Sequence, residues 1–133
     1  MKRNTAVIGL GSNIEPELNI ELARRELAHA VNVLKASSFV ETEPVGYKNQ
    51  NAFLNGALLV ETPLEAEELK DLLRRLEKKL GRVRNENKFG PRTIDLDILV
   101  WNGEVYDNDV YMREFLRYSI LELIPDLNLG KSE

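Results

Sequence analysis

Cysteine is missing from this chain of 133 residues, which excludes disulfides and thiolate metal sites. Its one histidine, His29, is too few for the usual zinc ligand sets. Any metal must therefore be held mainly through oxygen. Nowhere do about eighteen apolar residues run together, and the stretch after Met1-Lys2-Arg3-Asn4 is too short for a secretory leader. The expectation is a cytoplasmic protein with no membrane partner. A basic excess is lacking too: a net charge of −4 speaks against a general nucleic-acid binder, whose surface would be positive over much of one face. At 43% hydrophobic residues, the chain fits a single domain over residues 1–133 that buries about two-thirds of the surface its unfolded form exposes.

Hydrophobic spacing divides the chain into alternating elements. Ala6 to Leu10 reads as a buried strand leading into Gly9-Leu10-Gly11-Ser12-Asn13. Pro16 marks the start of a helix running to about Val33, with Ile20, Ala23, Leu27, Ala30, Val31 and Leu34 on its apolar stripe and His29 at the surface. Lys35 to Thr42 and Ala52 to Glu61 follow as strands, joined by a polar loop with Pro44 and Gly46. A second helix covers roughly Leu64 to Leu80, ended by Gly81. After a further strand and a turn at Asn102-Gly103, a last helix is expected from about Tyr111 to Leu123, stopped before Pro125. The order β-α-β-β-α-β gives an α+β class. Its expected form is a ferredoxin-like antiparallel sheet with both helices on one face, a short C-terminal helix, and the opposite face free for a ligand.

Chemistry concentrates in one run. In Arg92-Thr93-Ile94-Asp95-Leu96-Asp97-Ile98, entered through Phe89-Gly90-Pro91, the alternation of a strand sends Asp95 and Asp97 off one face, with Cα atoms roughly 6.5 Å apart. Ile94, Leu96, Ile98 and Val100 are expected on the other. Just before the pair, Arg82, Arg84, Lys88 and Arg92 stand against one acid, Glu86. Paired carboxylates can hold hard cations and clustered cations can hold phosphate oxygens, which together equip a site for metal-assisted phosphoryl transfer. Alone, a D-x-D run is commonly the wet face of a half-buried strand and a basic loop is commonly solvated; their adjacency favours the site. Gly9-Leu10-Gly11-Ser12-Asn13 lacks the lysine of a phosphate loop and reads as a tight turn with close backbone approach.

The run from Gly81-Arg82-Val83-Arg84 through Gly90-Pro91-Arg92-Thr93-Ile94-Asp95-Leu96-Asp97-Ile98 closely resembles the signature of the 6-hydroxymethyl-7,8-dihydropterin pyrophosphokinases (HPPK). Gly11-Ser12-Asn13, Ser38-Phe39 with Thr42, Pro44 and Gly46, Phe53-Leu54-Asn55, and Arg113, Phe115, Glu122 and Pro125 extend the likeness over nearly the whole chain. The resemblance implies transfer of the terminal diphosphate of ATP to the pterin hydroxymethyl group, leaving AMP, in folate biosynthesis. It implies that Asp95 and Asp97 hold two Mg²⁺ ions and that Arg82 and Arg92 act on the transferred group. Glu77, Arg84, Lys88, Ile98 and Arg113 are implied to be nucleotide contacts, and Thr42, Val45, Phe53, Asn55 and Phe115 to form the pterin pocket.

Bland readings stand beside these: core packing for Phe53 and Phe115, and a solvated helix face for Glu77 with Lys78. The implied partners are small molecules, met by a monomer or homodimer. One departure is plain. Val105 to Met112 is shorter than the family's corresponding segment and lacks its Pro-His motif. The competing class is a diverged pterin- or nucleotide-binding module without turnover. A ferredoxin-like nucleic-acid binder is disfavoured, because such a sheet shows basic and aromatic residues rather than paired acids.

Overall fold

The computed structural model describes residues 3–43, 51–81 and 93–129. In chain order the elements are β1 (Asn4–Ser12), α1 (Pro16–Ala30), β2 (Asn32–Ala36), β3 (Val40–Thr42), β4 (Phe53–Thr62), α2 (Ala66–Lys79), β5 (Asp95–Trp101), β6 (Glu104–Val105), α3 (Asp109–Met112) and α4 (Glu114–Leu123). The class is α+β, with an antiparallel sheet in the order β2-β4-β1-β5-β6 and β3 also paired to β4.

Alternation along β1 divides the interior in two. Ala6, Ile8 and Leu10 face α1 and α2, meeting Ile20, Ala23 and Leu27 from the first helix and Leu69, Leu73 and Leu76 from the second. Val7 points the other way, into a smaller cluster with Ala57, Leu99 and Val100 that Val110, Ile120 and Leu123 close from α3 and α4. Helices therefore lie on both faces. The expectation of a free opposite face holds only in part: apolar residues of the chain's last third cover the Val7 end of it, while the end bearing Gly11, Asn55 and Asp95 lies beyond that cluster.

A bulge explains another correction. Val7 pairs with Val100, but Ile8 pairs with Ile98, so Leu99 is an extra residue on β5. Leu99 and Val100 consequently both turn toward the smaller cluster. Val100 leaves the face of Ile94, Leu96 and Ile98, where unbroken alternation had put it, while Asp95 and Asp97 stay paired opposite Gly11 and Gly9.

Three boundaries differ from expectation for local reasons. The chain becomes extended at Val31, so α1 stops at Ala30, and Val33 and Leu34 belong to β2. The strand expected over Lys35 to Thr42 is split into β2 and β3. Buried Ser37 hooks onto β4 instead, its N–H donating to Ala57 O at 2.9 Å and its Oγ accepting from Ala57 N at 2.8 Å. The expected last helix is likewise two, interrupted by extended backbone at Arg113. Other signals hold: Pro16 opens α1, Gly81 at positive φ follows the end of α2, and Asn102-Gly103, both at positive φ, turn β5 into β6; a Glu65/Glu68 capping box, not among the sequence expectations, opens α2.

Candidate active site

Gly9 and Gly11 lie inside the central strand β1 rather than in a tight turn. They keep the middle of the sheet low where larger side chains flank it. Gly11 pairs with Asn55 of β4 on one side and Asp95 of β5 on the other. With strands spaced about 4.8 Å, Asn55 and Asp95 thus stand about 10 Å apart across one backbone. A Cβ at Gly11 would come within 2.5 Å of Asn55 Oδ1, so the amide lies directly over the glycine. One step along the same face, Gly9 pairs with Asp97.

On the Asn55 side, Thr42 and Phe53 are Cα partners between β3 and β4, and Asn55 Nδ2 donates to Thr42 Oγ1 at 2.6 Å. Phe53 is half-buried, as is Phe115 near the start of α4. The four described residues expected for a pterin pocket come from two paired strands and one helix; pairing of β3 with β4 brings Thr42, Phe53 and Asn55 together, and Phe115 lies on α4. Val45 lies outside the described residues. Also outside are Arg82, Arg84, Lys88 and Arg92.

On the Asp side, the pair lies within the first three residues of β5. Burial, first, and then the charge of Asp95 push the Asp97 carboxyl up to about 7, with Glu77 and Asp107 adding and Arg74 opposing. The Asp97 side chain still keeps 42% of its surface exposed, so it is backed by protein and fronted by solvent. Excess negative charge at such a place is what a bound cation relieves, and two carboxylates are the hard oxygen donors Mg²⁺ accepts. Among the described residues no group of three or more His, Asp or Glu side chains gathers into a metal site, so any ion here would draw its other ligands from substrate and water.

Glu77 and Ile98 occupy different surroundings. The Ile98 side chain packs in the α1–α2 core, on the face opposite the Asp pair. Glu77 is only 2% exposed. Its Oε2 accepts the Leu96 N–H at 2.8 Å, and its Oε1 accepts from Arg74 Nη1 at 2.6 Å. Arg74 Nη2 donates to Leu96 O at 2.8 Å and reaches Asp97 Oδ1 at 3.3 Å. β6 pairs with β5 at Val100 and Trp101, so beside Leu96, where no strand neighbour stands among the described residues, this Arg–Glu pair satisfies the backbone. Arg74 was not anticipated. The available signal was position 77, which follows Leu69, Leu73 and Leu76 on the buried stripe, where a carboxylate must find a cation. Arg113 lies 3.9 Å, Nε to Oδ2, from Asp109.

An antiparallel α+β fold with two carboxylates on β5 and, across β1, an amide on β4 is the class that fold and site define. Residues 7–125 match the family described as 7,8-dihydro-6-hydroxymethylpterin-pyrophosphokinase (HPPK), and the chain belongs to it. It is 48% identical over 104 residues to the 2-amino-4-hydroxy-6-hydroxymethyldihydropteridine pyrophosphokinase of Bacillus subtilis, covering 76% of this chain and 62% of that protein. The Haemophilus influenzae protein of the same name is 34% identical over 140 residues, covering 97% and 87%. The folate synthesis bifunctional protein of Arabidopsis thaliana is 40% identical over 128 residues, covering 89% of this chain and 26% of that one.

Proposed function

We propose that the chain transfers the terminal diphosphate of ATP to the hydroxymethyl group of 6-hydroxymethyl-7,8-dihydropterin, giving AMP, as the names of its relatives suggest. The observation that carries the reading is the cross-strand row Asn55–Gly11–Asp95, which seats a heterocycle-reading amide one strand away from a cation-seeking carboxylate. The strand order β2-β4-β1-β5 supports a ferredoxin-like framework for a single pyrophosphokinase domain. No helix among the described residues is long and apolar enough to cross a membrane.

Each side has its task. Asn55 offers a donor and an acceptor to the pterin's amide edge while Thr42 holds its orientation, and Phe53 and Phe115 supply flat apolar walls. Asp95 and Asp97 would hold two Mg²⁺ ions, which when bound neutralise the ATP phosphates and stabilise charge on attacking and leaving oxygens. Arg82, Arg84, Lys88, Arg92 and Arg113 complete the reading as cations for the triphosphate, with Arg82 and Arg92 nearest the transferred group. Glu77 supports the Asp strand from behind, and Ile98 has backbone groups rather than its side chain to offer a nucleotide. In the reaction the hydroxymethyl oxygen gains the bond to the β-phosphorus, the bond from that phosphorus to the bridging oxygen of AMP breaks, and the hydroxyl proton passes to solvent.

Incubation with ATP, Mg²⁺ and hydroxymethyldihydropterin tests the proposal. AMP and the pterin diphosphate should form together, and Asp97→Ala should abolish both with the far-ultraviolet spectrum unchanged. Binding of the pterin without AMP would instead identify a binding module, the reading favoured by the missing Pro-His segment.

A further inference from the structure

The edge strand facing β4 is broken at residues 37–39, and the break is stapled by a residue from the far end of the chain. Glu122 Oε1 accepts the Ser38 N–H at 3.0 Å and its Oε2 accepts the Ser38 hydroxyl at 2.9 Å. Beside it, Lys35 Nζ donates to Leu123 O at 3.2 Å. From the β4 side, Ser37 is fixed to Ala57, and the Phe39 ring covers Gly56 so closely that a Cβ there would come within 2.5 Å of it. The Arg24 guanidinium carbon lies 5.4 Å from the centroid of the same ring. A three-residue interruption has thus acquired contacts from α1, β4 and α4.

Its location explains why that matters. Ser38 is two residues before β3, the strand that carries Thr42 and pairs with Phe53 and Asn55. Glu122 is seven residues after Phe115 on α4, which at 3.6 residues per turn places both on one face of the helix, about 10 Å apart along its axis. Both bonds accept onto a carboxylate, and charge-assisted bonds of this kind hold geometry better than neutral ones. Ser38 and Glu122 are themselves exposed, so the clamp adds little to the core.

We infer that Glu122 is a positioning residue for pterin recognition: by clamping Ser38 it sets the spacing between the α4 face bearing Phe115 and the β3–β4 end bearing Thr42 and Asn55. The inference rests on the pterin-pocket reading above, and it concerns the pterin alone. The nucleotide side of the site is reached through β5 and α2, and among the described residues the clamp's bonds run to β2, the 37–39 break and α4 instead.

Three exposed substitutions test it: Glu122→Ala, Glu122→Gln and Ser38→Ala. Glu122→Ala should raise KM for the pterin about tenfold, with KM for ATP changed less than about twofold and kcat near that of the parent chain. Glu122→Gln should recover most of the loss, because the amide oxygen can accept the Ser38 N–H while its NH₂ donates to a turned hydroxyl. Ser38→Ala, keeping one of the two bonds, should fall between. Hydrogen exchange supplies a readout independent of turnover: the Ser38 amide should exchange about tenfold faster in Glu122→Ala and not in Glu122→Gln. Equal rises in both KM values, or faster exchange with no change in pterin KM, would overturn the inference. Unchanged exchange would show that the clamp does not hold the segment, and that too overturns it. If the parent chain neither binds the pterin nor makes AMP, it is the assigned reaction that falls, and exchange alone then judges the clamp.

Discussion

Glu77 Oε2 accepts the N–H of Leu96 at 2.8 Å, at the residue that separates Asp95 from Asp97. The bond comes from beneath the strand, from a carboxylate that is only 2% exposed, and Arg74 completes it by taking the Leu96 carbonyl. The spacing and tilt of the acidic pair are therefore set by α2 as much as by the sheet. β5 needs that support, since its edge at Leu96 has no strand beside it among the described residues.

Glu77→Ala should cost about 2–3 kcal/mol in urea unfolding, because it orphans the Leu96 N–H and leaves Arg74 half-buried without its closest anion. Glu77→Gln keeps the shape and an acceptor for Leu96, so it should cost less. An alanine variant as stable as its parent would show that the buried pair does not support the strand.

Ser37→Ala should destabilise by about 1–2 kcal/mol despite removing a single hydroxyl. The Ser37 Oγ takes the Ala57 N–H and donates to Ser38 O, so its loss strands a backbone donor inside the sheet. Thermal and chemical denaturation of the variant measure the cost, and a neutral substitution would mean that the strand break does not depend on that hook.

Gly11→Ala should damage pterin binding selectively. The new Cβ would overlap Asn55 Oδ1 at 2.5 Å, and Asn55 is held from the other side by Thr42, so its amide must rotate out of register. Pterin affinity, followed by ligand fluorescence, should drop about tenfold or more, which corresponds to at least ~1.4 kcal/mol. Gly9→Ala is the control. There the added methyl meets the Leu99 side chain at 3.0 Å, a flexible neighbour that can shift by a few tenths of an ångström.

The contrast between those glycines also shows what was legible in the sequence. Period-two alternation placed Asp95 and Asp97 on one face because that inference needs only local geometry, and the 3.6-residue stripes placed α1 and α2 for the same reason. The Leu99 bulge, the break at Ser37 and the interruption at Arg113 depend on partners that are distant in sequence, so Val100 and the expected edge strand and last helix came out wrong. Asn55 is singled out by resemblance, but its seat over Gly11 is a product of strand register. Arg74 was missed because its meaning lies in Leu96 and Asp97, 22 and 23 residues away. Gly9-Leu10-Gly11 was read as a turn because glycine-rich runs usually are one, whereas here close side chains require the missing Cβ atoms within a strand.

Asp97 gives the chain a pH dependence of definite sign. Its folded-state pKa, raised to about 7 from an ordinary 3.8, means that the folded chain prefers the protonated carboxyl. The stability this contributes is fully present below about pH 4 and is lost as pH rises toward about 7. Without metal, Asp97→Asn should therefore gain in Tm relative to the parent chain between pH 5 and pH 8, even after losing the 3.3 Å contact with Arg74. Mg²⁺ must displace the proton, so millimolar Mg²⁺ should raise the parent's Tm more at pH 8 than at pH 6 and should hardly move that of Asp97→Asn. A magnesium shift that is the same at both pH values, or that survives in the asparagine variant, would remove Asp97 from the cation site.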